Sequence, residues 1–291
     1  MRIAFPKFDF IGVPFLMGVA AVLLISEAAR PLRKRTRPKN ERLVLNSAVA
    51  ATALPVLRFA LLPARYAFSR WANKKQFGLL HWLPLPNWAK HFFSFLLLDY
   101  SNYMWHVLLH RSDLLWRFHN VHHIDLDMDV STAWRFHIGE NVASVPFRGG
   151  AVALVGATPS AVIVYEVFFE VCTAFHHSNV RLPFKLEKVL SKFMVTPRMH
   201  GIHHSIVHRE TNSNFSIIFN FWDRLHRSLR LNIPQHKITI GTPAYRTAAE
   251  QTATGLFLLP FRQQRPWQYP DGSVPVRKAA DEVGEVDELA E

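Results

Sequence analysis

The sequence predicts an all-α integral membrane protein, with about four transmembrane or hairpin helices and a cytosolic helical cap that holds a histidine-rich two-metal site. Three observations predict it. Of 291 residues, 49% are apolar and only 19% charged, with 23 Phe and 8 Trp, which is more apolar and less charged than an ordinary soluble domain. Several apolar runs reach membrane-spanning length. Eleven of the 16 histidines fall between positions 106 and 204, mostly in tight clusters. Mean hydropathy is only slightly positive, so the apolar segments share the chain with a substantial polar region.

The elements follow in order. Residues 8–29 are long enough for a helix to cross about 30 Å of hydrocarbon, and a basic stretch rather than a cleavage site follows them, so they read as a signal anchor. A second span covers 43–63, weakened by Asn46, Pro55 and Arg58. Pro84 and Pro86 break the chain before a third, at 88–110, apolar in its first half and polar in its second. The apolar stretch 145–175 is too long for one crossing, and Gly156-Ala157-Thr158-Pro159 inside it is a turn signal. A helical hairpin is expected there, its second arm carrying Glu166 and Glu170 one turn apart. Residues 181–240 are mixed and basic; from Gln263 the chain is rich in Pro, Gly and acids (Asp281, Glu282, Glu285, Asp287, Glu288) and is expected to be partly disordered. No internal repeat is evident beyond the histidine pattern.

The net charge is +12, from 34 Lys+Arg against 22 Asp+Glu. The densest basic run (Arg30, Arg33, Lys34, Arg35, Arg37, Lys39, Arg42, against Glu41) abuts apolar spans. That placement points to anionic lipid and a cytosolic loop; no zinc finger or RNA-binding module accompanies it, so nucleic acid is not an expected partner. Counting crossings from this loop brings His106, His110, His176 and His177 to the cytosolic face, although Arg65, Arg70, Lys74 and Lys75 on the opposite loop dilute the bias. The single cysteine, Cys172, excludes an internal disulfide, a four-cysteine zinc site and a four-cysteine iron–sulfur cluster.

Four histidine clusters stand out: His106-x-x-x-His110, His119-x-x-His122-His123, His176-His177-Ser-Asn179 and His200-x-x-His203-His204. Positions i, i+3 and i, i+4 share a helix face, so such pairs converge on one ion or on two neighbouring ions, with the adjacent histidine turned to the second. Neutral imidazole suits Zn, Cu, Fe and Ni. A structural zinc site closes with four ligands and usually recruits Cys, and these boxes offer too many imidazoles for one ion. Glu-x-x-His pairs of carboxylate-bridged bundles and the HExxH of zinc peptidases are both absent. The scattered His81, His91, His208, His226 and His236 read as surface, interfacial or core residues.

The runs Leu98-Asp-Tyr-Ser-Asn-Tyr-Met-Trp-His-Val-Leu-Leu-His110 and Leu114-Leu-Trp-Arg-Phe-His-Asn-Val-His-His123 resemble the first two boxes of the fatty acid hydroxylase/sterol desaturase superfamily. Asp129-Val-Ser-Thr-Ala-Trp-Arg-Phe-His137 and His177-Ser-Asn-Val-Arg-Leu-Pro183 resemble its middle. Thr196-Pro-Arg-Met-His-Gly-Ile-His-His-Ser205, with Asn212, Ser213, Asn214 and Phe-Trp-Asp-Arg224, resembles its final box. Departures are Val107, Ile138, Gly201 and His226-Arg-Ser, none at a presumed ligand. The resemblance implies three regions: N-terminal spans with the basic loop (1–87), a catalytic domain (88–230) and a C-terminal tail (231–291). It implies a membrane di-iron centre that uses O2 to hydroxylate or desaturate a fatty acyl chain, sterol or related lipid. The ligands would be His106, His110, His119, His122, His123, His200, His203 and His204, with His176 or His177, and His137 as a ligand or a neighbour of one.

Metal-bound imidazoles generally pass their second N–H to a carboxylate or carbonyl. Asp99 shares a helix stripe with His106 and His110, and Glu170 shares one with His177, so both are candidate partners. The sequence has no GxGxxG in a strand–helix setting and no cysteine cluster; electrons are expected from a separate ferredoxin- or cytochrome-type donor docking on the basic cytosolic face. Two alternatives remain open: a carotenoid hydroxylase, separated by pigment and lipid analysis, and a membrane metal-binding or transport protein, separated by metal flux without oxygen uptake.

Overall fold

The computed structural model describes residues 12–278. Helix α1 (Val13–Ala29) leads through the basic loop to α2 (Lys39–Val56), which continues through a π-helical turn (Leu57–Leu61) into α3 (Leu62–Lys75). The expected end of the second span at Pro63 is therefore corrected: Pro55 and Pro63 each lack an N–H, and the wider turn between them absorbs the missing bonds instead of breaking the helix. After α4 (Leu79–Trp82), α5 (Asn87–Arg111) is a helix over the residues of the third expected span, and α6 (Asp113–His123) follows at once; among the described residues only the Lys39–Trp82 run is both long and apolar enough to cross a membrane. Ser112 separates them and caps α6, its hydroxyl accepting from the Leu115 N–H at 3.4 Å.

The expected hairpin is present as α7 (Ile138–Val155) and α8 (Pro159–His177). Its turn uses Gly156 at φ 73°, with Thr158 capping α8 and Pro159 opening it. Gly78, at φ 103°, lies against that turn; a Cβ on it would clash with the Ala153 carbonyl oxygen. Gly78→Ala is accordingly expected to destabilise the chain by more than about 1 kcal/mol, read as a lower unfolding midpoint in detergent; an unchanged midpoint would count against this contact. The remaining helices are short: α9 (Phe184–Leu190), α10 (Pro197–His203), α11 (His208–Thr211), α12 (Phe221–Leu225) and α13 (Ala253–Leu258). Among the described residues there are isolated β-bridges but no strands.

Helix α5 packs on α6, α7 and α8, while α3 lies along α7 and α1 along α8. One apolar core joins α5, α8 and the segment after α11 through Leu98, Val162, Tyr165, Cys172, Ile217 and Ile218. A second, around Val121, Ile124, Tyr245 and Leu256, fastens the C-terminal region to α2 and α6. The run Lys39–Trp82 is long and apolar enough to cross a membrane, and only 22% of its most apolar window is buried. Helix α1 is a shorter apolar helix. Large apolar side chains on these helices face outward, among them Ile25 at 69%, Phe59 at 77% and Trp82 at 65% exposure.

Two expectations change. The basic run 30–42 is not all lipid-facing: Arg42 is buried and grips Asp125 through Nε (3.0 Å) and Nη2 (2.7 Å), with a further ion pair to Asp129. Arg33 is also internal, donating to the Gln235 amide oxygen at 2.5 Å. The C-terminal segment, expected to lack a fixed place from Gln263, is held as far as it is described. Trp267 Nε1 donates to the Ile206 carbonyl at 2.7 Å, and Arg277 makes two 2.9 Å bonds to the buried Glu210 carboxylate. Its composition lacks apolar runs, so these side-chain anchors leave no periodic trace. The acidic residues from Asp281 lie outside the described residues.

Candidate metal centre

Four helix ends converge on one point. The polar half of α5 brings His106 and His110; α6 ends on His119, His122 and His123; α8 ends on His176 and His177; and α10 with its cap brings His200, His203 and His204. The last box is placed by Thr196, whose hydroxyl caps α10, and by Pro197 at its first position. The HHSN element is tied down at Asn179, whose side chain bonds both the N–H (2.9 Å) and the C=O (2.9 Å) of Arg33.

The imidazoles form two groups. His106, His110, His119, His123 and His203 make one, His122, His177, His200 and His204 the other, and within each the ligating atoms lie within 4.8 Å of one another. Each HxxHH box is thus divided: its i, i+4 pair serves one group and its i+3 histidine the other. His176 belongs to neither group by this measure, but its ring centroid lies 4.1 Å from that of His200 and its Nε2 is buried without a partner.

Hydrogen bonds fix which nitrogen faces inward. His106 Nδ1 donates to the Phe215 carbonyl (2.8 Å), His203 Nδ1 to Ser213 (2.7 Å), His176 Nδ1 to Ile217 (3.2 Å) and His177 Nδ1 to Thr173 (2.8 Å). His119 Nδ1 donates to Glu140 Oε2 at 3.1 Å. A carbonyl or carboxylate oxygen can only accept, so these five rings carry their proton on Nδ1 and turn a lone pair on Nε2 toward the cluster. The Nε2 atoms of His110, His203 and His204 are buried with no partner. Burial first, and neighbouring imidazoles second, hold His122, His123, His200, His203 and His204 well below the usual histidine range, hence neutral.

The lone-pair-bearing Nε2 of His119 lies 3.2 Å from His123 Nε2, and that of His177 lies 3.0 Å from His122 Nε2 and 2.9 Å from His200 Nε2. Two nitrogens bound at right angles to one ion, each about 2.1 Å away, stand about 3 Å apart. The donor set therefore fits a metal in each group. Phe215 packs on His106, His110 and His203, and Phe136 stacks on His122 at 4.6 Å, so the surroundings are dry.

The three proposed supporting residues are placed otherwise. Asp99 touches no histidine: it accepts from Trp222 Nε1 (2.9 Å), the Phe219 N–H (3.2 Å) and the Tyr165 hydroxyl (3.4 Å). Glu170 faces a cavity beside the centre, and the Thr173 carbonyl takes the place expected of it at His177. His137 caps α7, accepting from the Gly139 N–H at 2.9 Å, while its Nε2 meets the Phe257 carbonyl at 3.1 Å. Helix periodicity put Asp99 and Glu170 on the right stripe but not at the right depth.

The residues that do support the rings are Glu140 and an irregular strap. Ser213, Phe215 and Ile217 each turn a carbonyl to a ring, with Asn214 between the first two in the left-handed region at φ 52°. Asp223 holds the strap through the Phe215 and Ser216 N–H groups (2.9 and 3.0 Å), and Asp99 holds its far end. The strap lies within the resembling Asn212–Arg224 stretch, but the direction of a carbonyl has no side-chain signature. Glu140, 21 residues after His119, has no local spacing that ties it to that ring. Glu140→Gln is expected to weaken metal binding by about 10- to 100-fold, measured by chelator competition; unchanged affinity would show that His119 needs no carboxylate.

The sequence family described as fatty acid hydroxylase matches residues 91–228, which contain all four histidine clusters. This domain belongs to the fatty acid hydroxylase/sterol desaturase superfamily. This domain has relatives named as lipid-modifying enzymes. Human (Homo sapiens) cholesterol 25-hydroxylase is 26% identical, covering 52% of this chain and 60% of its own. Alkylglycerol monooxygenase of Danio rerio is 26% identical, covering 76% and 47%. An ornithine lipid hydroxylase of Rhizobium tropici is 32% identical, covering 44% and 38%. The chain thus spans between about four-tenths and six-tenths of the length of these relatives. No solved structure gives a significant match.

Proposed function

We propose that the chain is a membrane-bound, O2-dependent oxidoreductase that hydroxylates a lipid at a histidine-held di-iron centre. The observation that carries this reading is the pair of imidazole groups with inward lone pairs. One iron would be held by His106, His110, His119, His123 and His203, and the other by His122, His177, His200 and His204 with His176 beside them. Imidazole alone does not select iron over zinc or copper; the resemblance and the relatives, named as hydroxylases and monooxygenases, favour it.

When bound, the iron pair would supply the electrons and Lewis acidity that O2 reduction and C–H cleavage require. The chain's own residues do the rest. The three strap carbonyls, Glu140 and the Thr173 carbonyl keep five rings in one tautomer, so the ligands need no rearrangement when metal enters. Phe136, Phe215 and the cavity walls exclude water and hold the lipid against the histidines. The balance is R–H + O2 + 2 electrons + 2 protons giving R–OH + H2O, so an external donor of the ferredoxin or cytochrome type completes it.

The four-crossing arrangement with the centre on the cytosolic face belongs to the same proposal. The outward apolar side chains of α1, α2 and α5 and the basic loop support it. The test is a comparison of lipid extracts from cells grown under labelled O2 that express the chain or its His203→Ala variant. One lipid is expected to gain a labelled oxygen with the parent chain alone. An unlabelled product, or the same product with both, would contradict the reading; an unlabelled alkene would assign desaturation instead.

A further inference from the structure

The cavity beside the histidines is not uniformly apolar. Helix α7 lays Glu140, Ser144 and Arg148 along its wall at steps of four, and α8 lays His177, Thr173 and Glu170 at steps of four and three. The inner end of each row is at the metal centre, where Glu140 meets His119. The outer end of each is charged: Arg148 on α7 and Glu170 on α8, within electrostatic reach of each other. At 1.5 Å per residue, eight residues of α7 and seven of α8 put that outer end about 10–12 Å from the histidines.

Arg148 is only 7% exposed, its Nε is buried without a partner, and its guanidinium lies 4.6 Å over the Phe169 ring. Behind it, Nη2 reaches Glu166 at 3.5 Å, and Glu166 also pairs with the buried Arg65. At this outer end two arginines face two glutamates, while Glu140 is engaged by His119 at the inner end. An ionised carboxylate or phosphate entering here would leave one buried charge uncompensated, and a pure hydrocarbon would leave the Arg148 N–H unpaired. A hydroxyl would satisfy both sides, accepting from Arg148 and donating to Glu170.

We infer that Arg148 and Glu170 form a subsite for a hydroxyl group on the lipid, and that this subsite sets the oxidised carbon about 10–12 Å from that hydroxyl. The inference rests on the lipid-oxidising reading of the same cavity. It makes the substrate a neutral lipid alcohol rather than a free fatty acid.

Binding to the full-length chain in detergent, without reductant so that nothing turns over, tests it. Three probes share one chain length: cetyl alcohol, palmitate and hexadecane. Trp105 and Trp134 line the cavity and report occupancy by fluorescence. The parent chain is expected to bind the alcohol about tenfold more tightly than either other probe, the value of one hydrogen bond to a charged group. Glu170→Gln leaves the network net positive and is expected to shift preference to palmitate by about tenfold or more. Equal binding of alcohol and hydrocarbon, tightest binding of palmitate by the parent chain, binding of none of the three, or an unaltered ranking in folded Glu170→Gln would each overturn the subsite. Should that variant fail to fold, the parent chain's ranking decides alone. A chain that ranks the probes as expected yet oxidises no lipid would remove the catalytic reading and leave the subsite standing.

Discussion

His203→Ala is expected to abolish turnover and to strip the iron of one group while sparing the other. His203 supplies an inward Nε2 to the five-histidine group and receives its orientation from the Ser213 carbonyl at 2.7 Å. Loss of a mere hydrogen-bond partner of a ligand costs about 10- to 100-fold in affinity or activity, so loss of the ligand itself should cost more than about 100-fold. His204→Ala should strike the four-histidine group instead. His236→Ala, at an exposed position outside the cluster, serves as the control with metal and turnover intact. Loss of both metals in either single variant would mean that the two groups do not bind separately.

The second large effect is structural. Arg42 holds Asp125 bidentately and pairs with Asp129, while Asn46 Nδ2 donates to Asp125 at 3.2 Å and Arg135 Nη1 to the Asn46 side-chain oxygen at 2.9 Å. This network fixes the chain immediately after His122 and His123. Arg42→Ala would leave Asp129 buried without its cation and Asp125 with only Arg135, 3.7 Å away, an effect worth about 3–5 kcal/mol, and it should lower the unfolding midpoint and, with it, metal retention. Burial alone would push the Asp125 carboxyl up, but Arg42 and Arg135 outweigh it and hold it well below the usual carboxylate range. A carboxyl depressed on folding stabilises above its unfolded pKa, about 3.9, and that stabilisation is lost as pH falls further. The metal-free chain should therefore lose stability below about pH 4, and Arg42→Ala should flatten that acid limb. An unchanged limb would show that the network does not carry it.

What the sequence made legible was local. The 88–110 helix appears as α5, and the Gly156–Pro159 turn falls where glycine and proline put it. The histidine boxes revealed both the cluster and its two-way division, because i, i+3 and i, i+4 spacings translate directly into helix faces. What escaped was long-range. Arg42 and Asp125 are 83 residues apart, and the strap carbonyls meet His106 and His176 across 109 and 41 residues. Nothing in a local pattern distinguishes an arginine that will meet three aspartates from one that will meet lipid. Asp99 illustrates the limit: its stripe was right, but the side chain turns to the strap that holds the rings, not to the rings.

Metal analysis of the full chain, purified in detergent without oxygen and loaded with ferrous iron, tests the two-metal centre most directly. Two iron per chain are expected, falling toward one in His203→Ala and toward one in His204→Ala, with both lost in the double variant. A single metal per chain, or two that survive replacement of both histidines, would contradict it.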